Sequence, residues 1–498
     1  MADQTEVVRF LSDPATHGGA AVERVETHGA LVFLAGDEAL KIKRAVRYDY
    51  MDLSTPERRH AMLARELELN RPAAPEIYRD LVAITREGAG LALGGTGEPV
   101  EWALRMWRFP AGDELEAVAA RGGLDDRLAA DLGHAVGAYH RAAPGRAADG
   151  AALIGEILDE LGRVFGAMPR VLEAPRIARF DEAARAMLAR VGPLLTARGA
   201  GGHVRRCHGD LHLRNLVLIG GRPVPFDALE FDERLGTCDV LYDLAFLLMD
   251  LDHRGLRRAA NITLAAWLRD ADGAEDAGLA ALPLFLAVRA AIRAMVLVQT
   301  DAAKGTVGVS DAEARRYLEE AVAALSPPPA RLVAVGGLSG SGKTVLARGL
   351  APRLGLAPGA VHLRSDLERP GPPGTADYSA AGRAAVYDRM LARAETMLAA
   401  GWPVLLDATF LDPADRARAE ALATRAGVDF VGLWLTAPAA CLLARVAARR
   451  GDASEADEAV VRAQLARAPS GGGWRALDAS GPPETVLHAA LGLCQPQA

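Results

Sequence analysis

Three residues of one stretch have the types and spacing to move a phosphoryl group. Arg206–Asp232 reads RCHGDLHLRNLVLIGGRPVPFDALEFD and carries Asp210, Asn215 and Asp227. A carboxylate aimed at a hydroxyl can orient it for attack. A carboxamide oxygen and a second carboxylate are hard ligands suited to Mg2+. A second stretch, Gly337–Thr344 (GLSGSGKT), offers a different chemistry. Its glycines let backbone N–H groups wrap a phosphate, its lysine can reach the β- and γ-phosphates, and its threonine hydroxyl can ligate Mg2+.

Each set needs elements to hold it. After Asn215 the apolar run Leu216–Ile219, the Gly220-Gly221 turn and Pro223–Phe226 read as a hairpin that delivers Asp227. Upstream, Ala30–Ala35 and Ala39–Arg44 flank Gly36-Asp37 as a second hairpin, which carries Lys41. Lys43 lies on the same strand face and stands as the alternative. Ser54-Thr-Pro-Glu57 has the form of a capping box, so a helix is expected to begin there and run to about Asn70. Within it Glu66 interrupts a stripe of Met62, Leu63, Leu67 and Leu69. A carboxylate in such a place either needs a partner or snorkels out to solvent.

His208-Gly209-Asp210 with Asn215 resembles the H-G-D-x-x-x-x-N signature of aminoglycoside phosphotransferases and choline kinases, and the strand Ala39–Ile42 resembles the V-A-I-K strand of kinases. The resemblance implies an α+β protein-kinase-like fold that binds ATP. It makes Asp210 the catalytic acceptor-facing base, Asn215 and Asp227 the metal ligands, and Lys41 with Glu66 the nucleotide-binding pair. Gly209 stands where protein kinases keep an Arg that answers activation-loop phosphorylation, which favours an unregulated small-molecule enzyme. Only Gly29 and Gly36 lie between Val22 and Lys41, so no G-x-G-x-x-G lid is present, and Thr27-His28-Gly29 is the turn at that place. Asp239 or Asp243 is expected to brace the catalytic loop, and Glu230 to face metal or acceptor.

Ser326-Pro-Pro-Pro329 reads as a stiff spacer. Beyond it an apolar strand from Arg331, the loop Gly337-Leu338-Ser339-Gly340-Ser341-Gly342 with Lys343 and Thr344, and a helix Val345–Leu354 follow in the order that a P-loop requires. The remainder resembles polynucleotide-kinase-like and zeta-toxin-like P-loop kinases. That resemblance makes Asp366, after the strand Val361–Leu363, the acceptor base. It puts Asp407, at the end of Gly401–Phe410, near metal or acceptor, and offers Arg449 or Arg450 as the lid arginine that neutralises the transferring group.

At 498 residues the chain suggests two to four domains. A net charge of −7 without single-sign blocks argues against an extended nucleic-acid groove. Four scattered cysteines give neither a zinc site nor a disulfide framework and fit a reducing cytoplasm. The acidic N-terminus is not a secretory signal. The most apolar segment, Leu279–Val298, contains Pro283, Arg289 and Arg293, which disfavour a membrane span. The reading is therefore two domains: a kinase-like domain over 1–326, a Pro-rich linker at 327–330, and an α/β P-loop kinase with a parallel sheet over 331–498. The chain resembles bacterial bifunctional proteins that join an aminoglycoside phosphotransferase-like domain to an ATP-binding domain. The expected activity is transfer of the γ-phosphoryl group of ATP, with Mg2+, to small-molecule hydroxyls at two sites, without a nucleic-acid or membrane partner. The rival readings are an ATP-responsive switch that binds a partner, and a P-loop domain acting on nucleic-acid ends or nucleotides.

Overall fold

The chain's apolar runs build two large sheets of opposite kinds, one antiparallel and one parallel. A computed structural model describes residues 4–27, 29–48, 51–369, 379–448, 457–467 and 472–495. By compactness these fall into two units, residues 1–150 with 198–247, and residues 151–197 with 248–498.

In the first unit, helix α1 (Thr5–Ser12) precedes strands β1 (Val22–Glu26), β2 (Ala30–Ala35) and β3 (Glu38–Lys43). Helix α2 (Pro56–Asn70) follows, then β4 (Tyr78–Glu87), β5 (Gly90–Leu93) and β6 (Glu98–Trp107). The six strands form one antiparallel sheet in the order β1-β2-β3-β6-β4-β5. Phe33, Leu40, Ile42, Val82 and Ile84 pack with Val7 and Leu11 of α1. Lys41 and Lys43 alternate with Leu40 and Ile42, so the two lysines share the other face. There Leu63 of α2 packs with Leu104, Val217 and Val224.

Helix α2 is capped by Thr55 rather than by Ser54, the residue expected to begin it. Pro56 takes the first helical position, where its fixed φ suits the helix and its missing N–H costs nothing. The Ser54 hydroxyl is already bonded to Asp52 Oδ1 at 2.6 Å. A short helix over Leu115–Ala120 and the turn after it lead to α3 (Asp126–Ala142). Strand β7 (Val204–Arg206) leads to the catalytic-loop motif, β8 (Leu216–Ile219) and β9 (Arg222–Pro225) form the expected hairpin, and β10 (Thr237–Asp239) pairs back on β7 before α4 (Val240–His253).

In the second unit, α5 (Arg257–Asp270), α6 (Leu282–Lys304) and α7 (Asp311–Ala324) precede a doubly wound domain. That domain consists of β11 (Arg331–Gly337), α8 (Lys343–Leu350), β12 (Val361–Arg364), α9 (Ala380–Ala399), β13 (Val404–Asp407), α10 (Pro413–Ala426), β14 (Asp429–Thr436), α11 (Ala439–Ala447), α12 (Glu458–Ala466), β15 (Arg475–Asp478) and α13 (Pro483–Cys494). Its five strands are all parallel, in the order β12-β13-β11-β14-β15. Helices cover both faces, so β11 is buried almost throughout and reads as a continuous apolar run. The central position of β11 sets the loop after it beside the carboxyl ends of β12 and β13, the usual ligand crevice of such sheets.

The segment Asp276–Lys304, which includes α6, is long and apolar enough to cross a membrane, yet 67% of its most apolar window is buried inside the protein. It is a core helix. Helix α5 packs on the parallel-sheet domain: Asn261 Nδ2 donates to the Ala360 carbonyl at 2.9 Å, and Arg257 donates to Gly355 O at 2.8 Å. Arg393 of α9 is buried against Asp276 and Glu368 at 2.8 and 2.9 Å. The compact units therefore divide the chain differently from the Pro-rich segment.

Candidate active sites

The first centre is built from long-range ion pairs. Lys41 Nζ lies 2.7 Å from Glu66 Oε1 and 2.8 Å from Asp227 Oδ1. Lys43 Nζ lies 2.7 Å from Glu66 Oε2 and 2.5 Å from Glu230 Oε1. Glu66 is fully buried and is the shared counter-ion of both lysines. The choice between Lys41 and Lys43 thus resolves into two posts: Lys41 joins α2 to Asp227, and Lys43 joins α2 to Glu230. Burial opposes the Lys41 ammonium, but Asp227 and Glu66 outweigh it and hold its pKa well above the ordinary lysine value. Burial likewise opposes the Asp227 carboxylate, and Lys41 beside it, through charge and hydrogen bond, holds its pKa below the usual range.

Asp227 adopts a left-handed backbone at φ 59°, uncommon for a non-glycine residue and held here by its surroundings. Its N–H donates to the Tyr78 hydroxyl at 3.0 Å, and Tyr78 is buried. Asn215 Nδ2 donates to Asp210 O and Oδ2 at 2.8 and 3.1 Å, which leaves Asn215 Oδ1 for a cation. Asp243, fully buried on α4, accepts from the His208 and Gly209 N–H groups at 3.2 and 2.8 Å and from His140 at 3.1 Å. Asp239, the other residue read as a brace, instead forms a two-pronged buried pair with Arg198 at 2.7 and 2.7 Å.

The second centre is built mainly from backbone. The loop Gly337–Gly342 closes on the N-terminus of α8. A Cβ on Gly337 would lie 2.6 Å from Leu435 O, and one on Gly340, at φ 83°, 2.6 Å from Leu442 O. Only glycine admits this course. The Ser341 hydroxyl is buried inside the loop without a hydrogen-bond partner among the described residues, a polar atom that a bound phosphate would satisfy. Thr344 Oγ1 donates to Asp407 Oδ2 at 2.7 Å, and His362 Nε2 lies 3.1 Å from the same oxygen. Burial would raise the Asp407 carboxyl, but His362, Lys343 and Thr344 bring it below the usual range. Asp407 is thus tied to the threonine of the loop. Asp366 sits after β12 with Arg364 Nη2 at 3.1 Å from its Oδ2. Helix α12 supplies a partner that the sequence did not announce: Gln464 accepts from Ser339 N at 2.8 Å and donates to its hydroxyl at 3.1 Å. Ser339–Thr344, Arg364, Asp366, Asp407 and Gln464 line a cavity of about 960 Å3.

Phe410, just past Asp407, is also left-handed at φ 48°. Its N–H is bonded to the hydroxyl of Tyr387 at 2.9 Å, the same device used at Asp227.

Of the expected site residues, Lys41, Glu66, Asp210, Asn215 and Asp227 gather in one centre, and Gly337–Thr344 with Asp366 and Asp407 in the other. Arg449, Arg450 and His28 of the Thr27–Gly29 turn lie outside the described residues. Tyr78, Lys43 with Glu230, His140, His362 and Gln464 were missed or left secondary. A neutral, buried tyrosine far along the chain carries no motif by which to find it.

The model of the phosphotransferase enzyme family matches residues 32–280, and that of an AAA domain matches residues 332–470. An uncharacterized protein of Mycobacterium tuberculosis is 30% identical over 483 residues, covering 93% of this chain and 94% of its own. Among solved structures, a choline/ethanolamine kinase family protein from Mesorhizobium loti is 19% identical and covers 64% of this chain and 93% of its own, with a TM-score of 0.40. A sugar kinase from Janibacter sp. HTCC2649 is 23% identical and covers 33% of this chain and 94% of its own, with a TM-score of 0.28.

Proposed function

We propose, from the premise that the chain belongs to the phosphotransferase enzyme family and continues into a P-loop kinase domain, an ATP-dependent phosphotransferase with two nucleotide sites, each moving the γ-phosphoryl group to the hydroxyl of a small molecule. The observation that carries this reading is Lys41 Nζ, held between Glu66 and Asp227 at 2.7 and 2.8 Å. It joins a fixed cation to a carboxylate suited to metal.

In the first centre Asp210 orients the acceptor hydroxyl and takes its proton. Lys41 faces the phosphates, and Asn215 Oδ1 with Asp227 would hold Mg2+. In the second, the N–H groups of Gly337–Lys343 cradle the phosphates, and Thr344, steadied by Asp407, would hold the metal. Asp366 takes the acceptor proton, and Arg449 or Arg450 serves as the lid arginine. Bound Mg2+ supplies neutralisation of the charge on the β- and γ-phosphate oxygens. Four free thiols support a cytoplasmic setting.

Phosphate release by the full chain, with and without a pool of small metabolites, tests the reading. Asp210→Ala should lower the first acceptor-stimulated activity by about 10²–10⁴-fold while ATP binding at the second centre persists. Lys343→Ala should do the reverse. Loss of all turnover through one substitution and no change through the other would remove the two-centre claim. Slow hydrolysis that no acceptor stimulates would favour a nucleotide-driven switch.

A further inference from the structure

We propose that Glu233 is a positioning residue of the first centre: its carboxylate, gripped by three arginines, holds α2 against the catalytic segment so that Glu66 meets Lys41. This rests on the reading of that centre as a kinase. Glu233 lies six residues past Asp227. Arg65 Nη2 is 2.6 Å from its Oε2 and Arg206 Nε is 3.0 Å from the same oxygen. Arg146 Nη2 and Nε are 2.8 and 3.0 Å from its Oε1. The three cations come from three places that the chemistry needs in register.

Each arm is tied to a part of the centre. Arg65 is the neighbour of Glu66 on α2. Successive helical side chains point about 100° apart, so one faces the lysines while the other reaches Glu233. Arg206 ends β7, just before the His208-Gly209-Asp210 motif. Its guanidinium is buried and donates to the Cys207 carbonyl at 2.7 Å and to the Leu229 carbonyl. Leu229 in turn donates its N–H to His208 O at 2.9 Å. Arg206 thereby spans the strand before Asp210 and the segment after Asp227. Gly236 makes room for it: a Cβ there would lie 1.7 Å from Arg206 Nη1. Arg146 stands beside Arg206, because the Arg146 N–H donates to Val204 O at 3.0 Å and the Arg206 N–H to Pro144 O at 2.8 Å. Glu233 itself is set by its turn. Asp232 Oδ1 accepts from Arg234 N at 2.7 Å, and Thr237 Oγ1 donates to Glu233 O at 2.8 Å.

A lone exposed ion pair contributes little, because water competes for both partners. Here charge-assisted hydrogen bonds from three arginines meet on one carboxylate, and the Arg206 guanidinium among them is buried, so the arrangement is a network of fixed geometry. A phosphate added to a loop orders it by the same means, by drawing arginines to it. Kinases that depend on such a phosphate gain their lysine–glutamate pair only once it is in place. The first centre carries a carboxylate of its own at the meeting point, so its pair is held without modification.

The test uses the full chain and reads only the turnover that Asp210→Ala removes. Glu233→Gln keeps the shape of the side chain and loses its charge. It should lower kcat/KM of that turnover about fivefold, with a small change in melting, and raise amide exchange across α2. Arg65→Met cuts the arm to α2 and should do the same. The double variant should fall no further, because both changes break one link. Glu68→Gln removes another partner of Arg65, at 2.7 Å, and should leave turnover unchanged. Turnover or α2 exchange unmoved in Glu233→Gln, or additive losses in the double variant, would overturn the proposal. So would a fall in kcat/KM that comes only with a large loss of melting temperature, which marks general unfolding. If the parent shows no turnover that Asp210→Ala removes, the kinase reading of this centre fails. Exchange across α2 in Glu233→Gln then decides the clamp, and no change there sinks it.

Discussion

The two centres address the same kind of ligand with opposite materials. The P-loop centre uses backbone: one contiguous loop of glycines and the helix that follows it. The kinase-like centre uses side chains brought from distant elements, Lys41 and Lys43 on β3, Glu66 on α2, and Asp227 and Glu230 beyond β9. A backbone site is assembled by local conformation and exists once the loop closes. A side-chain site exists only when the sheet, α2 and the β8–β9 hairpin are all in place. Stability and function are therefore separable in the second centre and entangled in the first.

The largest expected effect tests that entanglement. Glu66→Gln leaves the buried Lys43 and the partly buried Lys41 without their shared counter-ion, which should cost about 3–5 kcal/mol. Hydrogen exchange read peptide by peptide should show β3 and α2 opening far more often. Lys343→Ala removes the hydrogen bond to Leu338 O at 3.0 Å, and should shift its own helix by about 1 kcal/mol while abolishing turnover there. Exchange in β3 and α2 that is unmoved by Glu66→Gln would erase the contrast.

A smaller effect sharpens what the centres share. Tyr78→Phe and Tyr387→Phe each remove the hydroxyl that receives the N–H of a left-handed residue, Asp227 or Phe410. Each should cost about 0.5–1.5 kcal/mol and speed amide exchange at its own centre only. Equal effects at both centres from either variant would show that the tyrosines act through general packing.

The smallest effect depends on acidity. Burial works against the Glu233 carboxylate, but hydrogen bonds from Arg146, Arg65 and Arg206 bring its pKa down to about 2. Its folded value is depressed, so its stabilisation is complete above the ordinary glutamate range and fades as pH falls towards about 2. The carboxylate is 46% exposed, so solvent screens most of the gain. The melting difference between Glu233→Gln and the parent should be small at pH 6 and vanish near pH 2. A difference that grows on acidification would reverse the sign worked out here.

Legibility in the sequence follows the same division. Gly337–Thr344 could be read outright because eight consecutive residues hold its chemistry, and the strand and helix around it follow from adjacent patterns. Asp210 and Asn215 were legible through the H-G-D-x-x-x-x-N signature, and Asp227 because it follows the hairpin that begins next to Asn215. Lys41 and Glu66 were matched across 25 positions through the kinase resemblance; the apolar stripe by itself says that Glu66 needs a partner and not which one. Glu230 taking Lys43 at a separation of 187, and Tyr78 reaching Asp227 at 149, left no such trace. Those pairings are decided by the order in which strands and hairpin meet, which no local period encodes. The cap of α2 shifted from Ser54 to Thr55 because proline and a competing aspartate decide that position together.

Arg393 ties the P-loop domain to residues that precede the Pro-rich segment. It is buried between Asp276, from before the Pro-rich segment, and Glu368, two residues past Asp366. A fragment that starts at Arg331 would carry this guanidinium with Glu368 alone, stripped of Asp276 and of the α5 groups that bond Gly355 and Ala360. Losing one partner of such a pair costs on the order of 3–5 kcal/mol. A cut at the Pro-rich segment would therefore fall inside one compact unit and leave a buried charge without one of its partners.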